Sequence, residues 1–290
     1  MNFTKRTRLD SRLGNFNVNT VYPLDALSGL KQLPDESIQM CVTSPPYWGL
    51  RDYGMEGQIG LEKALEEYID NVVGVFRELH RVLRKDGTLW VNIGDSYATS
   101  PPGNKPNTTA LSSGLPNSVE NMEVRRSAQV IKRSHGLKPK DLCMIPARLA
   151  LALQADGWWL RSDIIWHKAS VMPESCTDRP TSSYEHILLL TKAKSYFYDA
   201  EAVKEPSSDE ESYTGRRPRN APAMYVLDRV HCREAGSVKD GKLTSTGKIY
   251  PMRNLRNVWS INPVGFPGAH FAVYPDKLPE TCIKAGTSDV

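Results

Sequence analysis

Ile38-Gln39-Met40-Cys41-Val42-Thr43-Ser44-Pro45-Pro46-Tyr47-Trp48 is the stretch on which the reading of the chain turns. Ile38 to Val42 is a short apolar run with the length and bulk of a buried strand. The two prolines just past it make a rigid, extended corner. Each ring fixes φ and removes a backbone N–H, and each confines the residue before it to extended backbone. The Ser44 hydroxyl and the backbone carbonyls are left as a small cup of acceptors beside two aromatic faces, Tyr47 and Trp48. Such a cup suits a flat group that carries N–H donors and stacks, and a nucleobase with an exocyclic amine meets both demands. Pro-Pro-aromatic also fits a plain loop or a polyproline ligand for an SH3-type partner; placement at a strand end favours the first reading.

Upstream, Val21-Tyr22-Pro23-Leu24 reads as a first strand, and Asp25 opens a short helical run to Leu33. Asp25 is an N-cap, or a carboxylate facing a ligand across the carboxyl edge of the sheet; the two roles are compatible. Downstream, Gly49 to Gly54 is a glycine-flanked polar loop, either plain surface or a cover for the corner. Leu61 to Lys85 is the clearest helix: Leu61, Leu65, Ile69, Val72, Phe76, Leu79 and Leu83 recur at steps of three and four. Acids lie at its start, Arg77, Arg81, Arg84 and Lys85 at its end, and Asp86-Gly87 is a stop. Thr88 to Ile93 then reads as a second buried strand running into Gly94, a residue consistent with close approach of a ligand. Strand, helix and strand with short connections predict a parallel βαβ unit.

Ser100 to Pro116 is Pro, Gly, Asn, Ser and Thr rich and predicts a flexible loop. Asp141 to Gln154 predicts a helix with Pro146 near its start. Trp158 to Trp166, Tyr184 to Thr191 and the short Tyr196-Phe197-Tyr198 read as strands. Late strands with no helix between them predict an antiparallel pair at the sheet edge. Order returns at Val258 to Ile261, and Asp276 to Lys284 predicts a last helix.

Charge is unevenly placed. The 290 residues net +4, yet Ser212 to Asn257 alone carries +7 and the run from Val124 to Lys140 carries +6, which leaves the remainder at −9. Concentrated basic charge is the footprint of a polyanion-binding module, or of a solvated basic linker. Five scattered cysteines with no C-x-x-C pair read as free thiols of a reducing compartment, with no zinc site. Met1 to Gly14 is basic without an apolar core, so it is no secretory signal, and no apolar run approaches membrane-spanning length. A cytoplasmic location is expected.

Taken in order, these segments resemble the amino-methylating DNA methyltransferases of the circularly permuted β group, which move a methyl group from S-adenosylmethionine to the exocyclic amine of cytosine or adenine. The resemblance rests on Leu33-Pro34-Asp35-Glu36-Ser37 leading into Thr43-Ser44-Pro45-Pro46-Tyr47-Trp48, on Phe76 to Leu83, and on Gly87 to Asp95. It continues through Asp163-Ile164-Ile165-Trp166-His167-Lys168, Met172-Pro173-Glu174-Ser175, Tyr184 to Leu189, and Gly268-Ala269-His270-Phe271-Ala272 with Pro275.

It implies an α/β, Rossmann-like sheet, mostly parallel with an antiparallel edge, plus a basic target-recognition insertion. The implied plan is a catalytic core over 1–200 with a flexible loop at about 99–138, recognition over 201–257, and a cofactor segment beginning at 258–290. Ser44, Pro45, Pro46 and Tyr47 would be catalytic: the amine of a flipped base would donate to Ser44 and the Pro45 carbonyl, with Tyr47 stacked on the base. Asp25, Ala26, His270, Phe271 and Pro275 would face S-adenosylmethionine; Arg216, Arg217, Arg219, Arg253 and Arg256 would contact double-stranded DNA. The Ser form of the motif implies cytosine N4 ahead of adenine N6. The family also carries an Asp-Pro-Phe-x-Gly-Ser-Gly cofactor loop after the last helix, which this sequence lacks. The expectation is therefore a fragment, a split enzyme whose partner chain supplies the loop, or a degenerate copy; a non-catalytic DNA-binding relative is the alternative function.

Overall fold

A hairpin of β1 (Arg12–Leu13) and β2 (Phe16–Asn17) opens the fold, ahead of a short helix, α1 (Ala26–Leu30). The structure, a computed structural model, describes residues 12–50, 52–98, 136–206, 238–239, 242–243, 252–265 and 273–288. After α1 come β3 (Ile38–Thr43), α2 (Leu65–Val82), β4 (Leu83–Ile93), α3 (Ile145–Ala155), β5 (Trp159–His167) and β6 (Tyr184–Thr191). The chain continues with β7 (Glu205–Pro206), β8 (Val238–Lys239), β9 (Lys242–Leu243), β10 (Met252–Arg253), β11 (Val258–Ser260) and α4 (Lys277–Gly286). Two units result, one of residues 1–199 with 256–290, the other of residues 200–255. In the second, β7 pairs with β10 and β8 with β9, both antiparallel.

The first unit is built on a five-stranded sheet in the order β11-β5-β6-β4-β3. β3 runs parallel to β4 and β11 parallel to β5, while β6 is antiparallel to both its neighbours. Four strands therefore run one way, as a mostly parallel α/β sheet requires. The antiparallel strand lies inside the described sheet, between β4 and β5, and not at its edge. β6 returns from β5 without a helix, so it must run against it, and β4 takes its other side.

Side chains alternate across β4. Leu89, Val91 and Ile93, with Leu188 and Leu190 of β6, form one core with Leu65, Tyr68, Val72, Phe76 and Leu79 of α2 and Leu149 and Leu153 of α3. Thr88 and Trp90 point to the other face, where α4 packs so closely that a Cβ on Gly286 would lie 2.8 Å from Thr88 Oγ1. Both faces of the central strands are covered, which is why they read as unbroken apolar runs.

Several element boundaries move from their sequence expectations. α2 spans Leu65–Val82, not 61–85. At its start, Glu62 ties the approach loop, accepting from Trp48 Nε1 through its carbonyl and from the Gly60 N–H through its carboxylate. At its end, Leu83 is already extended and paired with Ile38, and the N–H groups of Glu36 and Ser37 take the Arg81 and Val82 carbonyls. The ladder then skips from Ile38↔Leu83 to Met40↔Thr88, so residues 84–87 bulge out. Gly87 serves this bulge, since a Cβ there would lie 3.0 Å from Gln39 O.

α3 begins at Ile145 and not at 141, because Met144 takes a left-handed φ of 56° and Ile145 N donates to Asp95 Oδ1 at 3.1 Å. Val21 to Leu24 is no strand: Leu24 N closes a tight turn onto Tyr22 O, and Val21 is 95% exposed. Tyr196 to Tyr198 is no strand either, as Phe197 N bonds singly to Asp86 O. Among the described residues no helix is long and apolar enough to cross a membrane. Most of the expected loop at 99–138 and most of the basic stretch lie outside the described residues.

Candidate active site

The four co-directional strands point their carboxyl ends at one edge, and β6 begins there. This is where open α/β sheets bind ligands. Thr43 hands the chain to Ser44 at the end of β3, Asn92 lies near the end of β4, Lys168 follows β5, and Glu185 opens β6. Register joins them: Asn92 faces Ile187, and Trp166 faces Glu185.

The proline corner is anchored from behind. Tyr68 Oη donates to the Pro46 carbonyl at 2.9 Å, and Gly49 N donates to Gly60 O at 2.7 Å. Gly60 itself sits at φ +106°, where a Cβ would meet Tyr47 O at 3.2 Å. The Pro46 carbonyl is thus taken. Among the described residues none donates to the Pro45 carbonyl, and Ser44 is exposed. Trp48 is 0% exposed and donates its indole N–H to Glu62 O at 3.0 Å, so it packs the core and is no stacking face. A bulky ring leaving a corner braced by α2 gains more from burial than from facing water.

Tyr47 turns toward the sheet. Its hydroxyl donates to Glu185 Oε2 at 2.7 Å, with Asn92 Oδ1 at 3.3 Å, and accepts from Ser44 Oγ at 3.5 Å. Asn92 is fixed in turn, donating through Nδ2 to Glu185 Oε2 at 3.0 Å and to His186 O at 3.2 Å. Lys168 pairs with the other carboxylate oxygen, Glu185 Oε1, and its ammonium lies 4.2 Å from the centroid of the Trp166 ring. Both ends of this ion pair are less than one-fifth exposed. Burial first, then the Glu185 charge, pushes the Tyr47 phenol far above its ordinary range, so it stays protonated. Gly94 completes the packing. A Cβ there would lie 2.8 Å from Tyr47 Cε2, so the close approach this glycine permits is that of the tyrosine ring and not of a ligand.

A cavity of about 800 Å³ opens over the corner. Ser44, Pro45 and Tyr47 lie on one wall with Asn92, Lys168 and Glu185. Leu50 and Tyr53, half-exposed, bring the glycine-flanked loop to the rim, and Pro263, Val273 and Tyr274 form an apolar wall. The four predicted catalytic residues are thus together at one cavity. Asp25 caps α1, accepting from Ser28 N at 2.9 Å; that bond is the first cause of its lowered pKa. Asp25, Ala26 and Pro275 do not line the cavity; Pro275, next after Tyr274 in sequence, is buried. Arg253 Nε pairs with Glu205 Oε1 at 2.8 Å in the second unit, and the Arg256 carbonyl accepts from Trp259. His270, Phe271, Arg216, Arg217 and Arg219 lie outside the described residues. No cluster of potential metal ligands occurs among the described residues.

Sequence reasoning assigned no role to Asn92, Lys168 or Glu185. Two of them carried a signal. Asn92 is a polar residue inside an otherwise apolar strand, and Glu185 stands at the head of another; each such position requires a buried partner.

Comparison with known proteins gives this geometry a family. A model described as DNA methylase, for N6 and N4 enzymes, matches residues 38–289. The chain is 42% identical over 271 residues to the Type II methyltransferase M.Cfr9I of Citrobacter freundii, covering 93% of this chain and 73% of that one. It is 41% identical over 263 residues to the Type II methyltransferase M.SmaI of Serratia marcescens, covering 91% and 73%. Its fold matches the solved PvuII DNA methyltransferase (cytosine-N4-specific) with a TM-score of 0.52 at 17% identity, over 92% of this chain and 70% of that one. The chain belongs to the DNA methylase family, among the amino-methylating Type II DNA methyltransferases.

Proposed function

We propose that the chain methylates the exocyclic amine of a base flipped out of duplex DNA, cytosine N4 ahead of adenine N6, using S-adenosylmethionine. The observation that carries this is the Ser44–Pro45 corner: an exposed hydroxyl and a carbonyl without a donor among the described residues, held rigidly at the mouth of one cavity. A flipped base offers an amine with two N–H groups, and two acceptors at one corner match them. Accepting from both directs the nitrogen lone pair out of conjugation. Tyr47, pinned at its hydroxyl, presents its ring to the base. The choice of cytosine rests on Ser44, where enzymes favouring adenine carry Asp.

S-adenosylmethionine, when bound, supplies an electrophilic methyl group. The residues present suit it: the cavity is in the upper part of the range for small-molecule sites, about 300–1,000 Å³, and Val273 and Tyr274 add apolar lining to the acceptors. Pro275, buried and next after Tyr274 in sequence, His270 and Phe271 just ahead of it in sequence, and Asp25 and Ala26 at the start of α1 are the proposed cofactor-side residues. The unit of residues 200–255, with Arg216, Arg217, Arg219 and Arg253, and Arg256 beside it, is proposed to hold the DNA.

The test is methylation of duplex DNA followed by mass spectrometry of its nucleosides, for wild type and Ser44→Ala. N4-methylcytosine is expected from wild type, and Ser44→Ala is expected to lower the single-turnover rate by about 10²-fold or more while DNA affinity stays within twofold. Equal losses of rate and affinity would remove the assigned role. N6-methyladenine without N4-methylcytosine would reverse the base assignment.

A further inference from the structure

Methyl transfer leaves a proton to be disposed of in a cavity lined by apolar side chains and by the Lys168–Glu185 pair. The amine nitrogen forms its bond to the methyl carbon, the carbon–sulfur pair leaves with sulfur, and the nitrogen carries one proton too many. We propose that Glu185 receives that proton through a relay of two hydroxyls, Ser44 and Tyr47. The proposal rests on amine methylation at the Ser44–Pro45 corner.

The hydrogen bonds already point along the path. Ser44 Oγ donates to Tyr47 Oη at 3.5 Å, and Tyr47 Oη donates to Glu185 Oε2 at 2.7 Å. The amine proton moves to Ser44 Oγ as the Ser44 proton moves to Tyr47 Oη and the Tyr47 proton to Glu185 Oε2. Both hydroxyls end neutral, the methylated base ends neutral, and Glu185 ends as the carboxylic acid. Because burial and the Glu185 charge hold the phenol protonated, Tyr47 releases its proton only as it gains another, so the relay runs in concert.

Lys168 is the counter-ion of the mostly buried Glu185 carboxylate. It holds Oε1 and leaves Oε2 to Tyr47 and Asn92. The Asn92 amide, donating to Glu185 Oε2 and to His186 O, fixes the acceptor's direction. A purely structural role would require only that Tyr47 be held. It gives no reason for the last acceptor to be a charged group with its own counter-ion.

The experiment compares wild type, Tyr47→Phe, Glu185→Gln and the double variant in single-turnover transfer of labelled methyl to duplex DNA. Each single change is expected to slow transfer by about 10²-fold. The double variant is expected to be no slower than the slower single one, because both break one path. DNA affinity should stay within twofold. Wild type should show a solvent deuterium isotope effect with more than one proton in flight, and Glu185→Gln should lose it.

A readout without turnover is the Tyr47 ζ-carbon resonance in protein labelled with ¹³C-tyrosine, with neither DNA nor cofactor added. It should shift in Glu185→Gln, as the phenol loses its carboxylate. An unmoved resonance, additive losses in the double variant, or rates within threefold of wild type would each overturn the relay. If Ser44→Ala is inactive while Tyr47→Phe and Glu185→Gln are not, the relay fails and the site stands. If Ser44→Ala is fully active, the site assignment itself fails. Tyr47→Phe removes one oxygen and keeps the ring, so it serves should Glu185→Gln fold poorly.

Discussion

Gly94 sets the geometry of the tyrosine on which the corner depends. Its φ lies outside the left-handed region, so an alanine could adopt its backbone; what excludes one is the Tyr47 ring, 2.8 Å from where a Cβ would stand, and Glu185 Cγ at 3.4 Å. The ring cannot easily yield, because its hydroxyl is tied to Glu185 at 2.7 Å. Gly94→Ala should therefore destabilise the protein by about 1–3 kcal/mol through overpacking and should slow methylation by moving the hydroxyl off its acceptor. Urea unfolding and single-turnover transfer check the two effects; a variant with wild-type values in both would show that the ring has room to move. The corner's four residues were legible in sequence because proline chemistry is local. Their partners were not. Glu185 is 138 residues from Tyr47, and nothing in local spacing shows that β6 starts at the edge where β3 and β4 end. Trp48 was misread for the same reason: sequence shows an aromatic beside the corner but not that α2 lies behind it.

At the scale of elements, α2 shows how a helix that packs the core also carries a pH response. His80, in its last turn, meets Trp158 edge-on with centroids 4.8 Å apart. Desolvation, then the Lys192 charge, lowers the His80 pKa below its ordinary 6.5, against a hydrogen bond to the Lys192 backbone and the Asp156 charge. A lowered folded pKa means that the unfolded chain takes up the proton first as pH falls. The contribution of neutral His80 is therefore complete above the ordinary histidine range and is lost as pH falls through about 6.5 toward the folded value. The urea midpoint should drop between about pH 7.5 and about pH 5.5, and His80→Gln should reduce that drop; an equally steep drop in the variant would place the response elsewhere. The helix itself was legible from its apolar stripe, because a three-and-four period is a local signal. Its end was not. Glycine after a charged run reads as a helix stop, yet here the stop is the pairing of Leu83 with Ile38, a contact across 45 residues, and Gly87 serves the bulge that follows.

Over the whole molecule, charge is unevenly placed along the sequence. The sheet, its helices and the corner were readable from strand and helix patterns, while the position of β6 was not, since a strand without a crossover helix can take any open edge. The basic stretch carries an electrostatic signal that composition alone makes legible. Ser212 to Asn257 carries ten Lys or Arg against three Asp or Glu, in a chain that nets only +4. A surface that neutralises DNA phosphates releases their counterions, so binding weakens with salt in proportion to the phosphates contacted. Arg216, Arg217 and Arg219 cluster within four residues, and each phosphate contact removed lowers the magnitude of the salt slope by about 1. Replacing all three with Gln should reduce the slope of log affinity against log salt by about 3 while leaving the preference among DNA sequences nearly unchanged. Arg77→Gln is the contrast. That arginine is exposed but already pairs with Asp156, and its loss should leave the slope where it was. A triple variant with an unaltered slope would mean that these arginines touch no phosphate. A reduced slope joined to lost sequence preference would mean that they read base edges as well, and would move the recognition of the target site into this cluster.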